Sequence, residues 1–477
     1  MRLLFFLAWG MAIGWIAWLV VRGFDTPVHW GMALAAGIGG SFVGGLLASL
    51  ISGDGIEFRA SGIIGSIVGA IIILASGWCS GAARRSVERA RRPDDERHRM
   101  RRSLVLAFVL VLVGSTAVAL PAAAGDAGKL QRQLDTLVDT KGGPPGAIVV
   151  IQRDDEQKVF TAGVADLSTD AALDEHQHIR IASVAKAFSG AVALALVDQG
   201  VLSLDDTIAQ RLPAYADNWG EVTLRQLLGH TSGIPELLAS RVTQKRLSES
   251  PGVAPSPAGL LEPIEDDALE FAPGTKYRYS NSDNILTGLI VEQATGRPYE
   301  DVLRSEVSEK LGLTQTTLPS GPELPTPFAH GYDVQDPGDP EDVSEVIAGG
   351  WSWAAGGIVS TPAELTKFVR GYVGGTLFGP TVIAQQRKVR PKGLSEPPGP
   401  GANAAGLALF RYKTRCGTVF GHTGNTLGYT QFVAATPDGT RSVTVSITAQ
   451  LVPRSSDVFP ALRKLEETAV CTALAGA

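Results

Sequence analysis

The chain has 477 residues, room for two or three domains of ordinary size. Its formal charge of −6 is split unevenly, +5 over residues 1–125 and −11 over 126–477, which argues against a nucleic-acid partner because phosphate binding relies on clustered Lys and Arg. Three cysteines without C-x-x-C spacing argue equally against a disulfide scaffold or a structural zinc centre, and the positive mean hydropathy of +0.12 is concentrated before residue 126.

Four charge-free stretches there are long enough to cross a bilayer: Leu3–Val21, Trp30–Gly53, Ala60–Ala83 and Ser103–Gly125. Gly40/Gly44 and Gly65/Gly69 supply the G-x-x-x-G spacing that lets helices approach closely in lipid. Residues 1–83 thus read as a three-helix membrane module. The segment Arg84–Arg102, with nine arginines against four acids, reads as a cytoplasmic loop under the positive-inside rule. Segment 103–125 is then either a fourth transmembrane helix or an internal signal peptide. In the second reading Met100-Arg101-Arg102 is the basic region, Leu104–Val113 the apolar core, and cleavage follows Ala124. Either way residues 126–477 are delivered outside the cytoplasm, membrane-tethered or secreted.

From Gly125 to Lys141 the composition suggests a linker leading into a first helix. Ala147–Gln152 and Lys158–Ala165 are β-rich runs around Arg153–Glu156, a hairpin pattern. Lys186–Gln199 is apolar at helical spacing and stops at Gly200. A Pro- and Gly-rich middle runs from Leu204 to Gly401. Tyr429–Thr436 and Ser442–Thr448 then alternate around Pro437-Asp438-Gly439, and Asp457–Leu474 reads as a closing helix. Strands at both ends with helices between predict an α+β fold, an antiparallel sheet flanked by helices whose first and last parts pair.

Three elements carry chemistry. Ser183 and Lys186 form the sole S-x-x-K of the chain, at the head of the apolar helix. One turn apart, a lysine can serve as the base a serine nucleophile needs, and helix N–H groups can face an oxyanion. The second element, Pro273–Asn281, delivers Tyr279 and Asn281 to the start of the run Ile285–Val291; Tyr279 could relay a proton if its phenol were held ionised beside an ammonium. Ser282-Asp283-Asn284 also spells an S-D-N, which would give the tyrosine's role to Ser282. The third is Gly421-His422-Thr423-Gly424, before the strand pair, where Gly424 leaves room for close approach and Thr423 can bond a carboxylate. His230-Thr231-Ser232-Gly233 is a rival copy that reads as structural.

In this order the elements resemble the serine β-lactamase and penicillin-binding superfamily, in particular class C-like enzymes and serine DD-carboxypeptidases. The supporting stretches are Ile181–Ser189, Leu224–Gly233, Tyr279-Ser280-Asn281, Ser352–Gly357 and His422-Thr423-Gly424. The spacing of 96 residues from Ser183 favours Tyr279 over Ser282. The resemblance implies the β-lactamase/DD-peptidase fold over residues 130–475. It makes Ser183 the nucleophile, Lys186 and Tyr279 the proton-transfer pair, and Asn281 the residue that orients Lys186 and substrate. His422 and Thr423 would hold the carboxylate side of the substrate, Trp353 and Gly424 would contact it, and the N–H groups of Ser183 and Asn425 would form the oxyanion hole. No metal or cofactor is implied; the expected partner is a peptidoglycan stem peptide or a β-lactam, and the expected activity a D-alanyl-D-alanine carboxypeptidase. A class C-like β-lactamase, an esterase or a non-catalytic binding module are the alternatives. The strand Phe410-Arg411-Tyr412-Lys413 departs from the arginine cluster of such carboxypeptidases. Residues 1–83 resemble the transglycosylase-associated family of small Gly-rich membrane proteins, through Gly39–Gly45 and Ser61–Ala70. Finally, Cys416 and Cys471 both fall in the exported portion, and a bridge would tie them if the last motif's strand packs on the closing helix.

Overall fold

A computed structural model describes residues 122–334, 338–453 and 458–475. The first three candidate spans, the basic loop and nearly all of the fourth span lie outside the described residues. Among the described residues, no helix is long and apolar enough to cross a membrane.

Helix α1 (Ala122–Asp139) occupies the stretch expected as a linker. The difference has a simple cause. Leu130, Leu134 and Leu137 recur at helical spacing and are fully buried, giving an otherwise polar segment one apolar stripe. Strands β1 (Gly146–Arg153) and β2 (Glu156–Gly163) form the first hairpin, turning at Asp154 with φ 48°, a conformation that aspartate tolerates. The remaining strands of the main sheet come late: β3 (Arg390–Pro391), β4 (Ala402–Ala405), β5 (Phe410–Thr414), β6 (Gly417–Thr426), β7 (Tyr429–Ala435) and β8 (Arg441–Ile447). Together they make an eight-stranded sheet of order β2-β1-β8-β7-β6-β5-β4-β3. The two ends of the fold join within the sheet, where Ala147 to Arg153 run antiparallel to Ile447 to Arg441.

Each face of the sheet supports its own core. On one side α1 and α5 (Val458–Leu474) bury Leu130, Leu134, Leu462 and Leu465 against β1, β7 and β8. The disulfide Cys416–Cys471 fastens the β5–β6 turn to α5, with Cα atoms 5.2 Å apart. On the other side lies the inserted helical region, built on α2 (Ala185–Asp198), α3 (Ser282–Thr295) and α4 (Pro362–Gly374). Every residue of α2 from Ala185 to Leu196 is buried, so this helix is a central strut with no solvent face. It yields to a left-handed glycine at Gly200 (φ 73°), where the sequence places its stop.

Candidate active site

Ser183 sits in a single 3-10 turn, Ala182–Val184, that feeds directly into α2. The preceding Ala182 has φ 50°, an uncommon and mildly costly conformation for a residue with a Cβ. Strand β6 passes hard against this turn. A Cβ added at Gly424 would lie 2.4 Å from the Ile181 carbonyl oxygen and 3.2 Å from the Ser183 nitrogen, so only glycine admits the approach. This contact sets the backbone of residues 424–425 beside the Ser183 N–H, where two amides can face a developing oxyanion.

One turn along, Lys186 is fully buried and its Nζ has three neighbours. It lies 3.1 Å from Ser183 Oγ, 2.6 Å from Asn281 Oδ1 and 2.8 Å from the Ala355 carbonyl oxygen. The orientation of the Asn281 amide is fixed by its Nδ2, which donates to Glu236 Oε1 over 2.9 Å, while the Asn281 N–H donates to Glu236 Oε2. Burial pulls the lysine down to about 7, against Glu236, Glu396 and Asp283, which hold it up. A neutral amine has two hydrogens and one lone pair. Asn281 Oδ1 and Ala355 O accept only, so they take the hydrogens and leave the lone pair facing Ser183 Oγ. That is the arrangement a general base requires.

Tyr279 lies over the same amine, its ring centroid 5.1 Å from Lys186 Nζ. The ionised phenol expected from sequence is not what this environment supports. Burial pushes Tyr279 well above the ordinary tyrosine range, and the opposing pull of the Ser183 hydroxyl is smaller. Its hydroxyl stays protonated and makes no completed hydrogen bond. Tyr279 is therefore suited to pass a proton to a leaving group, with Lys186 as the base.

The turn holding Tyr279 and Asn281 rests on the rival motif. His230, its ring 4.7 Å from that of Tyr279, places Nδ1 3.0 Å from Asp283 Oδ2, and Ser232 Oγ donates to Asp283 Oδ1 over 2.6 Å. Burial pushes His230 down to about 3 and Asp283 well up, so the pair is neutral and acts as a hydrogen-bonded strut. Ser282 is also spoken for. It donates to the Pro235 carbonyl and accepts from the Leu237 N–H, which leaves Tyr279 facing Ser183.

The last motif is placed beside the site, with different duties from those expected. His422 is fully buried and held down to about 3 by burial. Its Nδ1–H donates to the Thr423 carbonyl oxygen at 2.6 Å, so Nε2 carries a lone pair, and this atom has no partner. Thr423 Oγ donates to the Pro397 carbonyl oxygen at 2.7 Å. Asn425 uses its side-chain amide on the Leu451 carbonyl oxygen, which leaves its backbone as its contribution near Ser183. Trp353 departs from the expected substrate contact: it is buried against Tyr299, ring centroids 5.1 Å apart, and over Gly288, because that glycine leaves a hollow in α3 that only a flat ring fills.

Sequence reasoning missed Glu236, the Ala355 carbonyl and the loop carrying Glu396. Asp283 was visible only as part of an S-D-N triplet. Nothing local marks Glu236, and a backbone carbonyl carries no sequence signal at all. Among the described residues the one grouping with metal-ligand chemistry is Asp174, Glu175 and His176, which includes no residue of the Ser183 site.

A serine–lysine–tyrosine constellation, buried at Lys186 and half-buried at Ser183 and Tyr279, thus lies where the sheet meets the inserted helices. The Beta-lactamase family matches residues 130–467, and the chain belongs to that family. It is 26% identical over 340 residues to protein flp of Staphylococcus aureus (strain MRSA252), covering 68% of this chain and 64% of that protein, so just under two thirds of the relative's length is spanned. Penicillin-binding protein 4* of Bacillus subtilis (strain 168) is 24% identical over 253 residues, 50% of this chain and 55% of that one. Among solved structures, a D-stereospecific amidohydrolase from Streptomyces sp. superposes with a TM-score of 0.61 at 27% identity, over 70% of this chain and 97% of its own.

Proposed function

We propose that the chain is a serine hydrolase that opens amide or ester bonds on the carbonyl side of a D-amino acid through an acyl-enzyme on Ser183. The observation that carries this reading is the three-way bonding of Lys186 Nζ, which leaves one lone pair for the Ser183 hydroxyl. In the first half-reaction Ser183 Oγ bonds to the acyl carbon and its proton passes to Lys186 Nζ. The carbon–nitrogen (or carbon–oxygen) bond then breaks, and the leaving group takes a proton by way of Tyr279. In the second half-reaction water adds to the acyl carbon, the Ser183 ester bond breaks and Ser183 regains its proton. The similarity to a D-stereospecific amidohydrolase and to a penicillin-binding protein supports the D-configuration of the acyl residue. A D-alanyl-D-alanine carboxypeptidase acting on cell-wall peptides is one member of this class. The base-ready geometry of Lys186 supports this reading over a purely binding module.

The same reading places the hydrolase outside the cytoplasm, tethered by residues 1–125 or released after Ala124. Intact-mass measurement of the full chain in detergent, after incubation with benzylpenicillin, tests the chemistry. One penicilloyl adduct per chain, absent in Ser183→Ala, is expected; no adduct with penicillin or with any activated D-alanyl ester would overturn the proposal.

A further inference from the structure

The loop between β3 and β4 reaches the site, and it is pinned on both sides of one carboxylate. Ser395 is fully buried; its hydroxyl donates to Asn403 Oδ1 and accepts from the Gly399 N–H and from Tyr412 Oη at 3.2 Å. Tyr277 Oη donates to the Leu394 carbonyl oxygen at 2.6 Å. On the other side, the Pro397 carbonyl oxygen accepts the Thr423 hydroxyl. Between two buried neighbours Glu396 is exposed, close enough to Lys186 and Tyr279 to act on both. Glu236 lies near enough to raise Glu396 in turn.

These contacts change what the leaving-group side of the cleft can accept. A terminal carboxylate needs donors or cations. The Thr423 hydroxyl is already given to Pro397, and His422 offers no donor, its only hydrogen being committed to a backbone carbonyl and its Nε2 being buried. The cations that act on Glu396 are Lys186, which serves the nucleophile, and Arg278, which is ion-paired with Glu270. A carboxylate arriving here would find no free donor and would meet two acidic side chains. An amide N–H or an ammonium would satisfy them.

We infer that Glu396, on a loop pinned to Thr423, is a specificity determinant that disfavours leaving groups bearing a free carboxylate and selects neutral or cationic ones, such as carboxamides and amines. This rests on the acyl-enzyme reading above and narrows it from carboxypeptidase to amidase- or endopeptidase-type cleavage.

The test compares two substrates with the same scissile bond, N-acetyl-D-alanyl-D-alanine and its C-terminal amide, on the full chain in detergent. The wild type is expected to favour the amide in kcat/KM. Glu396→Gln should move the acid-to-amide ratio about tenfold toward the acid, and Glu396→Lys further, as removal and reversal of one nearby charge require. Glu396 is exposed, so neither change threatens the core. A wild type that favours the free acid, or a ratio unmoved in both variants, would overturn the inference while leaving the hydrolase intact. Failure of both substrates and of benzylpenicillin to acylate Ser183 would instead remove the hydrolase reading, and this inference with it.

Discussion

If Lys186 is the base, the rate of Ser183 acylation must follow its deprotonation. Burial lowers this lysine from 10.5 to about 7, a shift of about 5 kcal/mol toward the neutral form relative to water. With an apparent pKa near 7, about a tenth of the enzyme is active at pH 6, half at pH 7 and nine tenths at pH 8. The burst of an activated D-alanyl ester, followed by stopped flow from pH 5.5 to 9, should therefore rise tenfold per pH unit at the acid end and flatten above 8. Glu236 opposes the shift, so Glu236→Gln should move the inflection to lower pH. Lys186→Arg keeps the charge but cannot give up its proton, and should cost about 10²- to 10⁴-fold, the usual worth of a positioned base. A profile flat from pH 5.5 to 8.5, or an arginine variant that keeps its burst, would show that another group takes the Ser183 proton.

Other consequences are checked separately. The penicilloyl adduct on Ser183 should form slowly, because benzylpenicillin carries a carboxylate on the leaving side of its scissile amide, and should then be long-lived, as expected for a chain with His422 in place of a lysine at the head of its last motif; rapid turnover of penicillin with no adduct in the mass spectrum would point to a β-lactamase. Gly424→Ala forces a Cβ to within 2.4 Å of the Ile181 carbonyl oxygen, and a displacement of Ser183 near 1 Å should cost about 100-fold in kcat/KM with little change in Tm. Removing the disulfide by Cys416→Ser with Cys471→Ser opens a loop spanning 55 residues, worth about 4 kcal/mol in the chain-entropy model, read as a lower midpoint in urea. Glu466 is buried with one oxygen unpartnered, and burial raises it to about 8. Its folded-state pKa lies above the unfolded value, so the stability it contributes is full below 4.5 and lost as pH rises to about 8. Glu466→Gln should leave stability unchanged near pH 4 but raise it above pH 8, by at most about 5 kcal/mol; equal midpoints at pH 9 would refute the assignment.

Much of the scaffold was legible because it is written in local patterns. The β1–β2 and β7–β8 hairpins declare themselves by alternating runs around polar or glycine turns, and α2 by an apolar run ending at Gly200. What local pattern misread is α1, where three leucines in a polar segment are enough to dock a helix once a partner, α5, supplies the facing stripe. In the site, Ser183, Lys186, Tyr279 and Asn281 could be named from spacing, because a helical turn and a helix start bring such residues together. Trp353 could not be placed, since only the hollow at Gly288 decides that its ring turns into the core. The roles of His422 and Thr423 were hidden for a related reason. Each is decided by a carbonyl oxygen, of Thr423 and of Pro397, and the second belongs to a loop 26 residues away.

The protonation states follow one rule that no single motif contains. Lys186, the two histidines and Asp283 are buried and Tyr279 is half-buried, and burial drives each toward its uncharged form: Lys186 and the two histidines downward, Tyr279 and Asp283 upward. Neutrality is what equips the lysine to accept a proton and the phenol to donate one. It also removes the cations that would greet a substrate carboxylate, and leaves the acidic side chains Glu236 and Glu396 near Lys186. The features that ready Ser183 for acylation thus also bias the cleft against an anionic leaving group, so base strength and substrate choice have a common physical origin in the dryness of the site.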